Sequence, residues 1–263
     1  IAFIDSLERV QAASAWHLWN VPVPSPAVDP PFVIREIGDK GLGMFATRRI
    51  PRGEVIVAER PILVSHPRLS VHADQKHAFY ESALAGLSAG AQKAISTLRN
   101  AHRETPDVGR IRGIILTNAL AAQFPHDSTH TRYSALFAQL CRANHDCAPN
   151  AHYSFSVETF AGRLCALRAI DAGEEITIGY TDVAAPRAER RQCLAEKYIF
   201  ECQCATCDLA PARAIASDTR RAEIGAYFVR MKEANGRGDR TPKGASLARV
   251  KEMIRSAEEE GLV

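Results

Sequence analysis

The chain has no apolar stretch approaching the roughly 20 residues that a membrane-spanning helix requires. It has no run of Lys or Arg, and a net charge of +3 with 24% charged residues is ordinary. That balance predicts a solvated surface of mixed sign, without direct nucleic-acid binding or membrane association. The opening stretch IAFIDSLERV lacks a basic leader and a small-residue cleavage site, so no secretory signal is expected there. A GxGxxG turn leading into a helix is missing, which removes the dinucleotide fingerprint, and no internal repeat is found. Cysteine is scarce: there are seven, an odd number with three clustered, which fits a reducing compartment and metal better than a disulfide framework. An intracellular protein, in nucleus and/or cytoplasm, is expected.

At 263 residues and 46% hydrophobic, the chain can bury the core of one large domain or two small ones. Residues 1–31 begin helix-like, with Ile4, Leu7 and Val10 near helical spacing, and end in the proline-rich NVPVPSPAVDPP. Residues 32–65 are β-rich runs punctuated by Gly, Asp and Pro, which predict short strands. Residues 66–132 turn helical through Gln123. Phe79, Ala83, Leu84 and Leu87 form one stripe, Ala91, Ile95 and Leu98 a second, and Ile111, Ile114, Ile115, Ala119 and Ala122 a third. The polar loop PHDSTHT follows, and its His126 and His130 read as solvated rather than as ligands. Residues 133–182 hold the loop NHDCAPN, a hairpin expected to turn at Ala161-Gly162, and a strand in EEITI. Residues 183–210 open with a helix near Pro186 and close in the cysteine cluster; residues 211–263 carry two amphipathic helical patterns around NGRGDRTPKG.

The cluster lies in FECQCATC, where Cys202, Cys204 and Cys207 are spaced so that three thiolates can face one tetrahedral ion. A closed structural zinc site needs a fourth ligand. Cys165 falls in a predicted strand, Cys193 on an apolar helix flank, and Cys141 at the end of an apolar run, where a thiol is usually a small buried hydrophobe. Cys147, in a polar loop, is the best candidate. The same loop carries Asn144 and His145, a pair rich in donors and acceptors but weak as a motif in isolation. DKGLG is equally weak alone: its glycines let backbone approach a ligand, yet most such pairs are turns.

Taken in order, KGLGMFATRRIPRGEVIVAERPIL, NHDCAPNAHYSF, GEEITIGYTD and YIFECQCATC resemble a SET-domain methyltransferase with a post-SET cysteine motif, nearest the SET–MYND-type subgroup. The match covers roughly residues 32–210. The resemblance implies a mainly β SET fold with knot-like threading, a helical insert, a zinc-tied post-SET loop and a short helical C-terminal extension. It implies protein-lysine N-methylation, on a histone or another protein, with S-adenosylmethionine as methyl donor. Lys40, Gly41, Leu42 and Gly43 would wrap that cofactor through their backbone. Asn144, His145, Asn118 and the adenine-covering Phe200 would bind it. Tyr180 would be the catalytic tyrosine, in contact with the cofactor, and Tyr198 and Leu120 would line the lysine channel. Cys147, Cys202, Cys204 and Cys207 would together form one structural zinc site of four cysteines. A monomer is expected.

The chain also departs from the family pattern. Cys141 stands where a small hydroxyl residue usually contacts the cofactor, Asp146 follows the Asn-His pair where Ser is frequent, and Leu120 replaces a frequent aromatic. No second cysteine/histidine ladder supplies a MYND finger. A catalytically weak SET-fold interaction module is therefore the alternative. A zinc hydrolase is a poor one, because a closed four-thiolate site leaves no position for water.

Overall fold

The structure is a computed structural model that describes residues 2–4, 22, 29–38, 41–66, 73–124, 132–237 and 246–263. The chain divides into two compact units that do not follow chain order: Ile1–Asn144 with Tyr153–Ile176, and His145–His152 with Thr177–Val263.

The first unit is strand-rich. Ala2–Ile4 (β1) pairs in parallel with Leu63–Ser65 (β5), which continues through Arg132–Leu136 (β7) to Leu120–Gln123 (β6). Val55–Glu59 (β4), Ala161–Ala166 (β10) and Ala151–Ser156 (β9) form a second sheet in the order β4-β10-β9. Phe32–Glu36 (β2), Leu42–Ala46 (β3), Glu175–Ile178 (β11) and Asn144–His145 (β8) form a third in the order β2-β3-β11-β8. Strands β8, β9 and β11 each pass from one unit to the other along their length.

The β2–β3 hairpin shows why the sequence folds this way locally. Phe32, Met44 and Ala46 are buried, with Phe32 paired to Ala46 and Ile34 to Met44. Its connection returns at Gly41, whose carbonyl accepts from Ile37 N–H at 2.7 Å; Gly38 and Gly41 have φ of 44° and 78°, a region glycine enters without Cβ strain. Helices Ala73–Ala85 (α1), Ala89–Ser96 (α2) and Arg110–Asn118 (α3) form the insert, with Ile95, Ile111, Ile114 and Ile115 buried as the periodicity requires.

Four expectations are corrected here. Residues 2–4 are strand, not helix, because β1 finds a ladder partner in β5; residues 5–21 lie outside the described residues, as does the 125–131 loop with His126 and His130. The third helix ends at Asn118. Ala119 is extended, and Ala122 belongs to β6, where pairing with Tyr133 outweighs the helix propensity of an alanine-rich run. Phe79 is 40% exposed while its neighbour Tyr80 is buried; Leu84 of the same stripe is buried as expected. The β9–β10 hairpin turns at Val157–Phe160, with Phe160 N–H donating to Val157 O, rather than at Ala161-Gly162. Gly162 serves packing instead: a Cβ there would lie 2.6 Å from Leu140 Cδ1 and 2.8 Å from Phe137 Cζ.

The second unit is helical. Arg187–Tyr198 (α4) starts after Pro186, and Pro211–Gly236 (α5) carries Pro211 in its first turn, where a missing N–H costs nothing. Leu247–Glu259 (α6) is capped by Ser246, whose hydroxyl accepts from Arg249 N–H at 3.2 Å. Ala214, Ser217, Arg221, Ile224 and Tyr227 form the buried stripe of α5, and Met253 and Ala257 that of α6. Among the described residues no helix is long and apolar enough to cross a membrane.

Candidate functional site

In the first unit the candidate cofactor residues sit on β3 and at the start of β8. A turn at Leu140–Arg142 delivers the chain to Asn144, and buried charge holds that turn. The Glu59 carboxylate accepts from Gln139 N–H at 2.7 Å and Leu140 N–H at 2.6 Å; burial pushes its pKa up despite these bonds. Buried Arg142 donates to Thr97 O at 2.9 Å and Thr97 Oγ1 at 2.5 Å. Cys141 lies inside the turn, its sulfur accepting from Phe137 N–H at 3.2 Å, and burial pushes its thiol up to about 12, so it remains protonated.

Asn144 Nδ2 donates to Leu42 O at 3.2 Å and to Glu175 Oε1 at 2.9 Å, tying β3 to β11. The approach is close enough to require glycine at position 43: a Cβ there would lie 2.1 Å from Ile37 Cδ1, 2.9 Å from Asn144 Nδ2 and 3.1 Å from Glu175 Oε1. Gly43→Ala is therefore expected to cost about 1–3 kcal/mol of stability, as overpacking does, with the Asn144–Glu175 bond the first casualty. A denaturant midpoint unchanged from wild type would show that this loop yields without cost.

In the second unit the four cysteines come together. The ligand sulfurs of Cys147, Cys202, Cys204 and Cys207 all lie within 4.8 Å of one another, with Cys147 Sγ 3.6 Å from Cys207 Sγ and 4.0 Å from Cys202 Sγ. Sulfurs about 2.3 Å from a tetrahedral zinc stand about 3.8 Å apart, so the spacing fits that ion. The four thiols do not shift alike: hydrogen bonding to Cys202, Cys204 and Cys207 pushes Cys147 up, and Cys202 also rises. Hydrogen bonds from Cys147, Cys202 and Cys207 pull the Cys204 thiol well below its ordinary value, and those from Cys147 and Cys202 bring Cys207 down to about 6. Thiolates are the form a metal binds. Arg190, fully buried on α4, donates from Nε to Cys147 Sγ at 3.2 Å, placing a cation against the sulfurs; its Nη2 has no hydrogen-bond partner among the described residues.

His145 links this cluster to Tyr180. Its Nδ1 accepts from Tyr180 N–H at 3.0 Å, and Nε2 lies 3.3 Å from Cys147 Sγ. Burial pushes the imidazole down to about 4, so it is neutral at pH 7; with Nδ1 accepting, the single proton resides on Nε2 and points at the sulfur. Tyr180 packs on Tyr198 with ring centroids 4.9 Å apart, and the Tyr198 hydroxyl donates to Tyr180 O at 3.3 Å. Phe200 follows the helix end, where Ile199 takes a left-handed φ of 56°, and its ring lies 6.2 Å from that of His145. Tyr180, Tyr198 and Phe200 all pack on the buried group Cys147, Leu194, Cys202 and Cys207. Asp146 Oδ1 accepts from Ala148 N–H at 2.8 Å, closing the turn that presents Cys147, which gives the unusual Asp a local structural use.

The remaining expected residues fall elsewhere. Lys40 lies outside the described residues. Asn118 ends α3 with Nδ2 donating to Ile114 O and Arg99 O, both at 2.7 Å, a helix-closing arrangement. Leu120 is half-buried on β6 opposite Ala135. Sequence reasoning passed over Glu175, Glu59, Arg190 and Arg221, because charged residues in strands and amphipathic helices read as solvated faces. Only the EE pair beside the Tyr180 strand could have pointed to Glu175.

Residues 41–181, more than half of the chain, match the SET domain family, and the chain belongs to it. Histone-lysine N-methyltransferase set5 of Schizosaccharomyces pombe is 32% identical over 206 residues, covering 77% of this chain and 59% of that protein. Protein-lysine N-trimethyltransferase SMYD5 of Gallus gallus is 42% identical over 77 residues, 28% of this chain and 18% of that protein. A SET and MYND domain-containing protein of Dictyostelium discoideum is 33% identical over 104 residues, 37% of this chain and 30% of that protein. The chain thus spans less than two thirds of the length of each of these relatives.

Proposed function

We propose that the protein is an S-adenosylmethionine-dependent protein-lysine N-methyltransferase acting on a histone or another protein, with zinc as a structural ion. The observation that carries this reading is Tyr180, fixed through its backbone by His145 and Tyr198 and packed beside a four-sulfur cluster of zinc dimensions. Membership of the SET family and relatives named as histone-lysine or protein-lysine methyltransferases support it.

Gly41, Leu42, Gly43, Asn144, His145 and Phe200 would hold the cofactor, with Lys40, Asn118 and Cys141 as further contacts. Among the described residues a Cβ on Gly41 would meet nothing within 4 Å, which leaves room there for such a ligand. When bound, S-adenosylmethionine supplies a methyl group for in-line displacement at carbon. The acceptor is a lysine amine whose pKa of about 10.4 in water leaves it mostly as the unreactive ammonium. Stripping water from the lysine stem in an aromatic channel, to which the family resemblance assigns Tyr198 and Leu120, would lower that pKa. The Tyr180 hydroxyl orients the amine, and its ring face favours the cationic methylamine product. Alignment is the main contribution; effective molarities of well-oriented reactions correspond to about 7–11 kcal/mol of barrier.

The test is calorimetric titration of S-adenosylhomocysteine into zinc-replete protein and into Asn144→Ala. Saturable binding by the wild type, lost in the variant, is expected, because the Asn144 amide holds the Leu42 carbonyl and would contact the cofactor. Well-folded, zinc-loaded wild type that binds nothing would overturn the reading and favour a SET-fold interaction module.

A further inference from the structure

The C-terminal helices make an unusual commitment of buried charge. Arg221 of α5 is fully buried, and its guanidinium reaches three chain segments at once. Nη1 donates to Cys147 O at 2.9 Å and also to Val183 O, while Nε donates to Glu260 Oε2 at 2.8 Å and Nη2 to Glu260 O at 2.9 Å. Glu260, just past α6, is held in turn by Ser217 Oγ at 2.5 Å and Arg220 Nε at 2.7 Å. Two close backbone approaches flank the same place. A Cβ on Gly225 would lie 3.4 Å from Ala184 Cβ, and one on Gly261 would lie 3.0 Å from Ala148 Cβ. The carbonyls that Arg221 grips are thus that of a cluster cysteine and that of Val183, three residues beyond Tyr180. No other buried cation among the described residues joins α5 and α6 to this loop pair so directly.

We propose that the Arg221–Glu260 pair is a positioning device, by which the two C-terminal helices brace the Cys147 loop and the loop after Tyr180. Buried, the pair gains little stability over an apolar substitute, but breaking it leaves one charge unpaired and forces the helices or the loops to move. Two carbonyls held by one planar fork cannot shift independently, so the pair fixes the Cys147 backbone in the orientation that brings its sulfur to the cluster. Outer-shell partners of metal ligands act in this way. The metal arm of the idea rests on the zinc reading above; the ordering of the two loops does not.

The experiment compares the zinc-loaded full chain with Glu260→Gln, with Glu260→Asp, and with Glu252→Gln, which breaks only the exposed Arg249–Glu252 pair on α6. Zinc release to a chromophoric chelator and amide exchange at 145–148 and 181–184 are followed, with the thermal midpoint as a control for overall stability. Glu260→Gln is expected to release zinc about tenfold faster or more and to lose protection in both loops. Glu260→Asp should recover part of both, and Glu252→Gln should match the wild type. Loops and zinc release like wild type in Glu260→Gln, with only the thermal midpoint lowered, would overturn the brace. Should Glu260→Gln fail to fold, the Asp variant decides by the same two readouts. A wild type that holds no zinc would refute the zinc reading alone, and the exchange of the two loops would still decide the brace.

Discussion

Tyr180→Phe is expected to reduce methyl transfer by about a hundredfold or more while changing S-adenosylhomocysteine affinity by less than about threefold. Two backbone bonds that the substitution leaves intact hold Tyr180: its N–H donates to His145 Nδ1 at 3.0 Å, and its carbonyl accepts from Tyr198 at 3.3 Å. Phe keeps both backbone bonds and the ring packing on Tyr198, and removes the hydroxyl that would orient the amine. The loss should therefore fall on turnover, since a group that acts on the transition state and not on the bound ground state moves kcat and kcat/KM together. Transfer of tritiated methyl from S-adenosylmethionine to core histones, read beside calorimetric binding, separates the two quantities. Equal losses in turnover and cofactor affinity would make Tyr180 a cofactor ligand and remove it from the chemistry. A large fall in thermal midpoint would show that the hydroxyl is a structural contact.

How far the sequence led depended on whether a residue's role was local. Ile111, Ile114 and Ile115 are legible because helical period alone places them on one buried face, and the structure buries all three. The four cysteines are legible because thiolates have few other reasons to crowd, and the structure gathers Cys147 with Cys202, Cys204 and Cys207. Ala122 is misread because alanine carries no period of its own, so only the ladder partner Tyr133 decides that it is strand. Gly162 is misread for a related reason: a glycine needed for close packing against Phe137 and Leu140 looks the same in sequence as one needed for a turn. Arg190 and Arg221 could not be found at all. Each sits in a helix rich in other charged residues, and nothing local distinguishes the arginine that is fully buried from those that keep solvent exposure. Their burial is a property of the assembled unit, in which sulfur atoms and orphan carbonyls supply the partners.

Cys147→Ser is expected to have the largest structural effect of any single substitution in the second unit. Three separate groups converge on this residue: His145 Nε2 at 3.3 Å and Arg190 Nε at 3.2 Å on its sulfur, and Arg221 Nη1 at 2.9 Å on its carbonyl. A hydroxyl is a poor ligand for zinc beside three thiolates, so affinity should fall by more than the roughly 10–100-fold seen when only outer-shell partners are removed. Structural zinc contributes its binding energy to folding, about 10–16 kcal/mol in small zinc-finger sites at neutral pH, so the loss reaches beyond the ion. The post-SET loop loses its tie to the Cys147 loop, His145 loses the sulfur that its Nε2 proton faces, and Tyr180 loses a fixed partner at its N–H. Metal analysis of purified Cys147→Ser should give much less than one zinc per chain, and a strong chelator applied to the wild type should reproduce its increased amide exchange at 145–150 and 200–208. Cys165→Ser, in β10 and not one of the clustered cysteines, should retain full zinc and wild-type exchange. A Cys147→Ser protein that kept one tightly held zinc would show that the fourth ligand lies elsewhere, and would detach the metal from the His145–Tyr180 link.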